Sequence, residues 1–267
     1  MVSKSTLQEF LSFSRNIAKT VGKILLNKQR NVTVVKYKDK QDIATTADLA
    51  SEDFVINAIQ KKYPTHNIHS EEKGEINKSS EYIWSIDPLD GTKEYKRNIP
   101  LFNFSMSLSH RKKTIVAVVY RPSNKSLYSA AEGLGSFLNG KTISVSPVKK
   151  LDESFVYCYL PSYQRNRDLY DSGWNGLSKL GKKVYRIRAL ADENTALCWL
   201  AQGGVEAYVN LSNPPKWHDV APGLFIASQA GALIFDLKGN KLTYGKPSTF
   251  ICANSREVAQ EILKVVN

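Results

Sequence analysis

The stretch WSIDPLDGTKEY, residues 84–95, places two carboxylates, Asp87 and Asp90, three residues apart at the end of an apolar run. Pro88 lies between them, and Gly91 and Thr92 follow. Proline fixes φ and removes a backbone donor, so the strand is predicted to stop here. Gly91 permits a tight turn, and its missing side chain would let a ligand approach the backbone. Two carboxylates on so short a turn repel each other unless a cation sits between them. Hard divalent ions such as Mg²⁺ take oxygen ligands and share carboxylates with a substrate phosphate. On this turn alone, an aspartate capping the turn explains the pattern as well as a metal does.

Other acids stand where predicted elements would present them. "EYIWSID" reads as the buried strand behind Asp87. Glu71 and Glu72 follow a short extended piece in "YPTHNIHSEEKGE". "DKQDIATTAD" is turn-like and delivers Asp48 to the start of a helix over about 47–62, as its cap or first-turn acid. Asp219 follows Trp217 and His218 and opens an apolar helix, where the helix dipole favours a carboxylate or its metal. Around these, residues 5–27 fit an amphipathic first helix and 32–37 a strand. "FNFSMSLSHRKKTIVAVVYRPSNKSLYSAA" alternates as antiparallel strands with turns at "HRKK" and "RPSNK". From about residue 151 come strand "ESFVYCYL", helix "NRDLYDSGWNGLSKLG", strand "KKVYRIRAL", helix "ENTALCWLAQGG", strand "VEAYVNLS", helix "WHDVAPGLFIASQAGA", late strands in "LIFDLKGN" and "STFICA", and a closing helix "SREVAQEILKVV". This mixture predicts a layered α/β or α+β fold rather than a doubly wound parallel sheet. The 267 residues are read as one catalytic unit with a soft internal boundary near 147–151.

Composition narrows the partners. The formal net charge is +12, but the basic residues come in short groups such as Arg111-Lys112-Lys113 and Lys182-Lys183. No zinc-finger spacing, aromatic RNA-binding strand or long basic run accompanies them. Solvated charge that steers anionic substrates is therefore expected, not a nucleic-acid polymer as partner. No run approaches the roughly 20 apolar residues of a membrane span. Glu9 and the helical spacing of residues 5–27 read as a mature helix rather than a targeting signal. Cys158, Cys198 and Cys252 are far apart, as expected of reduced thiols in a cytoplasmic protein.

Taken together, these stretches resemble the lithium-sensitive, magnesium-dependent phosphomonoesterases of the inositol monophosphatase superfamily. "DPLDGT" is similar to the pattern D-x-P-[LI]-D-G-T, matching it from Pro88 to Thr92, with Ile86 where the pattern begins with Asp and Asp87 at its open position. "WHDVAPG" is similar to W-D-x-A-[AG]-G with His218 inserted, and "SEE" and "DIATTAD", from Asp42 to Asp48, match in order. The likeness runs over nearly the whole chain. It implies an αβαβα sugar-phosphatase-like sandwich with mixed and antiparallel sheets, in a cytoplasmic homodimer. It further implies that Glu71, Asp87, the Leu89 carbonyl, Asp90 and Asp219 bind Mg²⁺, while Asp48 and Thr92 orient and activate the attacking water. The Gly91-Thr92 backbone would face the phosphate. His218 is read as supporting Asp219 or packing rather than as a base.

The substrate is less well marked. "DGTKEY" resembles the 3′(2′),5′-bisphosphate nucleotidases, and "NIPLFNFSMSL" is nearer the inositol monophosphatases. Where relatives carry Gly-Ser or Gly-Thr and then Ala, this chain has Asp192, Glu193, Asn194 and Thr195. Carboxylates there would repel a second phosphate and suit hydroxyls; alternatively, Asp192 only caps the helix. Asn210 aligns loosely with a sugar-binding acid, and Lys36 and Lys38 are either phosphate contacts or loop charge. The expected function is hydrolysis of a small sugar or inositol monophosphate. A bisphosphate nucleotidase is the alternative, and a non-catalytic basic binding protein on the same fold is the alternative of a different class.

Overall fold

A computed structural model describes residues 2–37, 43–189, 192–242, 245 and 248–267. Asp42 and Lys38 fall outside these residues. The chain divides into two compact units, Met1–Lys141 and Thr142–Asn267.

The first unit begins with α1 (Lys4–Gln29), where the Ser3 hydroxyl caps the helix by accepting from Thr6 N–H at 3.1 Å. Leu7, Phe10, Leu11, Ile17, Val21 and Leu25 recur at helical spacing and are buried. Then come β1 (Val34–Tyr37), β2 (Ile43–Thr45), α2 (Thr46–Lys62), β3 (Asn67–Ser70), β4 (Gly74–Ile76), β5 (Tyr82–Asp90) and α3 (Thr92–Lys96). The strands β6 (Asn103–His110), β7 (Lys113–Arg121), β8 (Ser126–Ala131), β9 (Gly135–Leu138) and β10 (Lys141–Ile143) follow. Among the described residues, one sheet has the order β10-β9-β8-β7-β6-β5-β3-β4, with β9 through β5 and the pair β3–β4 antiparallel and the pair β3–β5 parallel. The alternation in "FNFSMSLSH" is explained by its two faces. Phe104, Met106 and Leu108 join Trp84, Ile86, Val116 and Val118 in the core under α1 and α2. Ser105, Ser107 and Ser109 point to the opposite face, also buried. Burying each large apolar chain contributes roughly 1.5–3 kcal/mol, which fixes the register that carries Asp87.

The second unit contains β11 (Phe155–Tyr159), α4 (Tyr170–Gly181), β12 (Arg186–Arg188), α5 (Glu193–Ala201), β13 (Ala207–Asn210), α6 (Trp217–Gln229), β14 (Leu233–Asp236), β15 (Phe250–Ala253) and α7 (Arg256–Val266). Its sheet, β12-β11-β13-β15-β14, is mixed: β11 runs parallel to β12 and β13, and β15 antiparallel to β13 and β14. Val156, Cys158, Ala207, Val209, Ile251 and Ala253 face Leu177 and Leu180 of α4 and Val258 and Ile262 of α7. Tyr157 points the other way and meets Trp199 of α5 at 5.3 Å between ring centres. The unit is thus a helix–sheet–helix sandwich, and all three cysteines are buried in it without forming a disulfide. The α+β class with mixed and antiparallel sheets agrees with the sequence reading. One helix is shorter than expected: α4 starts at Tyr170 because the Asn166 side chain accepts from Leu169 N–H at 3.1 Å and donates to the Ser212 carbonyl at 2.9 Å, holding its neighbourhood as loop. Among the described residues, no helix is long and apolar enough to cross a membrane.

Candidate active site

The acidic turn lies at the end of β5, and here the expected strand stop at Pro88 is corrected. The strand runs on to Asp90. Its pairing with β3 ends at Ile86, opposite Ser70, while pairing with β6 passes from Asp87–Ser105 to Asp90–Asn103 with a register shift between. Three steps on β5 therefore match two on β6, which is a bulge. Pro88 is tolerated because it falls in the bulge, on a stretch where β5 has lost its β3 partner. The bulge also aims its neighbours. Leu89 N–H donates to Asp87 Oδ1 at 3.1 Å, and Asn103 Nδ2 donates to Asp90 Oδ2 at 3.0 Å. Asp87 is buried and Asp90 half-buried.

Gly91 caps α3 with φ +83°. Its side-chain hydrogen serves a different purpose from the one expected. A Cβ would lie 2.5 Å from the Leu101 carbonyl oxygen, so the close neighbour is the protein's own backbone. Thr92 then starts α3, and its hydroxyl reaches two acceptors, the Leu89 carbonyl at 2.9 Å and Asp48 Oδ1 at 3.3 Å.

Asp48 arrives from α2 as the third residue of a capping box. Thr45 N–H donates to its Oδ2 at 2.8 Å, and the Thr45 hydroxyl donates to the same oxygen. Burial pushes the Asp48 carboxyl up to about 6; the bonds from Thr45 oppose this, and the charge of Glu72 adds to it. One turn further along α2, Glu52 is fully buried. Its Oε1 accepts from the Ser70 hydroxyl, from Glu72 N–H at 2.9 Å and from Lys73 N–H at 3.1 Å. Glu52 thus holds the turn that carries Glu71 and Glu72. Sequence reasoning missed both Glu52 and Asn103. For Glu52 a signal was present: Asp48, Ser51 and Glu52 form an i, i+3, i+4 polar stripe, and all three are buried.

In the second unit, Asp219 is the third residue of α6 and His218 Nε2 lies 3.0 Å from its Oδ1. Asp192 is a buried cap: Thr195 N–H donates to its Oδ1 at 2.6 Å. For Glu193, burial comes first and the charges of Asp219 and Asp192 add, raising its carboxyl to about 8. The expected repulsion of a second phosphate is weakened here, because Asp192 serves as the helix cap and burial favours the neutral form of the Glu193 carboxyl. Asn210 is likewise corrected as a substrate contact. It is fully buried, its Nδ2 donates to the Asn213 carbonyl at 2.7 Å, and its Oδ1 accepts from Asn213 N–H at 3.1 Å. It staples the loop "NLSNPPK".

The structure thus joins Asp48 to Thr92, and Thr92 to the Leu89 carbonyl. Among the described residues, no three His, Cys, Asp or Glu side chains meet as a ready-made ion cage. The donor chemistry still fits a hard cation. Glu71, Asp87, Asp90 and the Leu89 carbonyl offer oxygen alone, within a region acidic enough for one carboxylate to raise another's pKa.

Comparison with known proteins bears on this arrangement. The inositol monophosphatase family pattern matches residues 6–267. Inositol monophosphatase 3 of Solanum lycopersicum is 28% identical over the full length of both chains. Nus factor SuhB of Vibrio cholerae serotype O1 is 32% identical over 92% of this chain and 90% of its own. The Thermotoga maritima IMPase structure superposes with a TM-score of 0.84 at 28% identity, covering 97% of each chain. The chain belongs to the inositol monophosphatase family, a family of phosphoric monoester hydrolases.

Proposed function

We propose that the protein is a Mg²⁺-dependent phosphatase of a small sugar or inositol monophosphate, and that the chain acts as a single catalytic unit. The observation that carries this reading is the hydrogen-bonded line from Asp48 through Thr92 to the Leu89 carbonyl, beside Asp87 and Asp90. Glu71, Asp87, Asp90 and the Leu89 carbonyl would hold the metal, with Asp219 as a further carboxylate ligand. When bound, divalent ions supply a lowered pKa for water and neutralise charge on the phosphoryl oxygens and the leaving alkoxide.

The chain's own residues do the rest. The Thr92 hydroxyl has one proton and two acceptors. When it donates to Asp48, its lone pairs are free to accept from the attacking water. The Asp48 carboxylate then fixes that hydroxyl's direction, so the water is oriented rather than merely present. The backbone N–H groups at the start of α3 face the phosphoryl group. Glu193, at the start of α5, meets the hydroxyls of the alcohol portion. No covalent phosphoenzyme is needed.

We further propose a cytoplasmic homodimer. The buried thiols suit a reducing compartment, and exposed apolar chains such as Leu160, Tyr163 and Trp174 offer surface for a partner copy.

The test is phosphate release from inositol 1-phosphate. Activity is expected with Mg²⁺ and none in excess EDTA. Asp90→Asn should lower kcat by several orders of magnitude while near-UV circular dichroism stays native. Undiminished turnover in EDTA refutes the mechanism. A higher kcat/KM for adenosine 3′,5′-bisphosphate than for inositol 1-phosphate refutes the substrate class and leaves the metal chemistry standing.

A further inference from the structure

Helix α6 contains Pro222 at its sixth position. A proline inside a helix offers no N–H, and its ring presses on the carbonyl four residues back, here that of His218. The next backbone pair along is the Gly223 N–H and the Asp219 carbonyl, which would bond to each other in an undisturbed helix. Here the Asn194 side chain holds both. Asn194 Nδ2 donates to the Asp219 carbonyl at 2.7 Å, and Gly223 N–H donates to Asn194 Oδ1 at 2.9 Å. An amide from the first turn of α5 thus occupies the rung that the proline disturbs. The fit leaves no slack. Asn194 is fully buried, and a Cβ on Gly223 would lie 2.8 Å from Asn194 Oδ1 and 2.9 Å from Leu197 Cβ.

We infer that Asn194 is a positioning residue for Asp219: gripping the Asp219 backbone from α5 sets the direction of its carboxylate. The inference rests on the reading of Asp219 as a metal ligand. Asp219 sits in the first turn of α6, where a helix next to a proline is least able to hold its own geometry. Its carboxylate is only as well placed as its backbone, and groups that orient a ligand typically change metal affinity by roughly 10–100-fold when removed. The chemistry of the amide is specific. An aspartate at 194 has the same shape and still accepts from Gly223 N–H, but it sets a carboxylate oxygen against the Asp219 carbonyl. An alanine leaves both backbone groups without the amide.

The experiment is calorimetric titration of Mg²⁺ into the full metal-free chain, with kcat and KM measured on inositol 1-phosphate across Mg²⁺ concentrations. Asn194→Ala and Asn194→Asp should weaken Mg²⁺ binding by roughly tenfold or more. At saturating Mg²⁺, kcat should recover most of its wild-type value. In Asn194→Ala/Pro222→Ala, the helix can close its own rung, and Mg²⁺ affinity should return. Asn194→Asp keeps the side-chain volume, and far-UV circular dichroism of every variant checks the fold. Equal Mg²⁺ affinity in wild type, Asn194→Ala and Asn194→Asp overturns the inference alone. So does a loss that Pro222→Ala does not restore, because Asn194 would then act by packing only. Wild-type protein that takes up no Mg²⁺ overturns the metal reading, and the inference falls with it.

Discussion

Asp48 carries two roles that pull in opposite directions. As a cap it accepts two bonds from Thr45, and as the partner of Thr92 it must ionise in a buried place. Its folded-state pKa of about 6 lies above the unfolded value of 3.8, so the folded chain keeps the proton longer. The stability this contributes is complete below about pH 3.8 and is lost as pH rises through about 6. A shift of about two units corresponds to about 3 kcal/mol. Asp48→Asn cannot ionise, and its amide can still accept from Thr45 and donate to Thr92. In EDTA, urea unfolding at pH 4 and pH 7 should show wild type losing about 2.4 kcal/mol relative to Asp48→Asn, while the variant is inactive. Parallel curves for the two proteins would contradict the burial assigned to this carboxyl. At this scale the sequence singled out Asp87, Asp90, Thr92 and Asp48, and the fold joins Thr92 to Asp48. The sequence was not readable where one side chain only holds another residue in place. Glu52 and Asn103 act through partners 13–21 residues away, Ser70, Glu72, Lys73 and Asp90, and only the fold brings these together.

Among the elements, the β5–α3 junction is the most demanding. Gly91 combines φ +83° with a carbonyl oxygen where a Cβ would go. Gly91→Ala meets both costs and should destabilise the protein by about 2–4 kcal/mol. The drop is read from the urea midpoint at unchanged slope. A change below about 0.5 kcal/mol would mean that the junction relaxes at no cost. Element order and type were legible because apolar periodicity switches cleanly between helix and strand. Two boundaries were not. Pro88 predicts a stop only if the ladder needs its N–H, and the bulge removes that need. The start of α4 depends on Asn166, whose side chain can hold a loop as well as start a helix. Asp192 resolves the other way: the cap offered as an alternative from sequence is the state observed.

For the molecule as a whole, a charge of +12 should attract phosphate esters from solution. We expect kcat/KM for inositol 1-phosphate to fall as ionic strength rises from about 0.01 to 0.15 M, over which the screening length shortens from about 30 to 8 Å. Most of the change should appear in KM. A flat profile would assign the basic groups to solubility alone. Composition gave the sign of this field, but not which residues face the substrate. The cysteines lead to a different kind of measurement. All three lie in Thr142–Asn267, none in the first unit. Burial pushes the Cys158 thiol up to about 12 and that of Cys252 higher still. Since the thiolate is the reactive form, alkylation waits until each thiol is released from the fold. The chain therefore carries an internal clock for one half of itself. Under native conditions, iodoacetamide uptake followed by mass spectrometry should record openings of the second unit and remain blind to those of the first. Simultaneous appearance of the triply labelled species would show that the second unit opens as one cooperative body. Stepwise labelling would order its layers by the free energy needed to expose them.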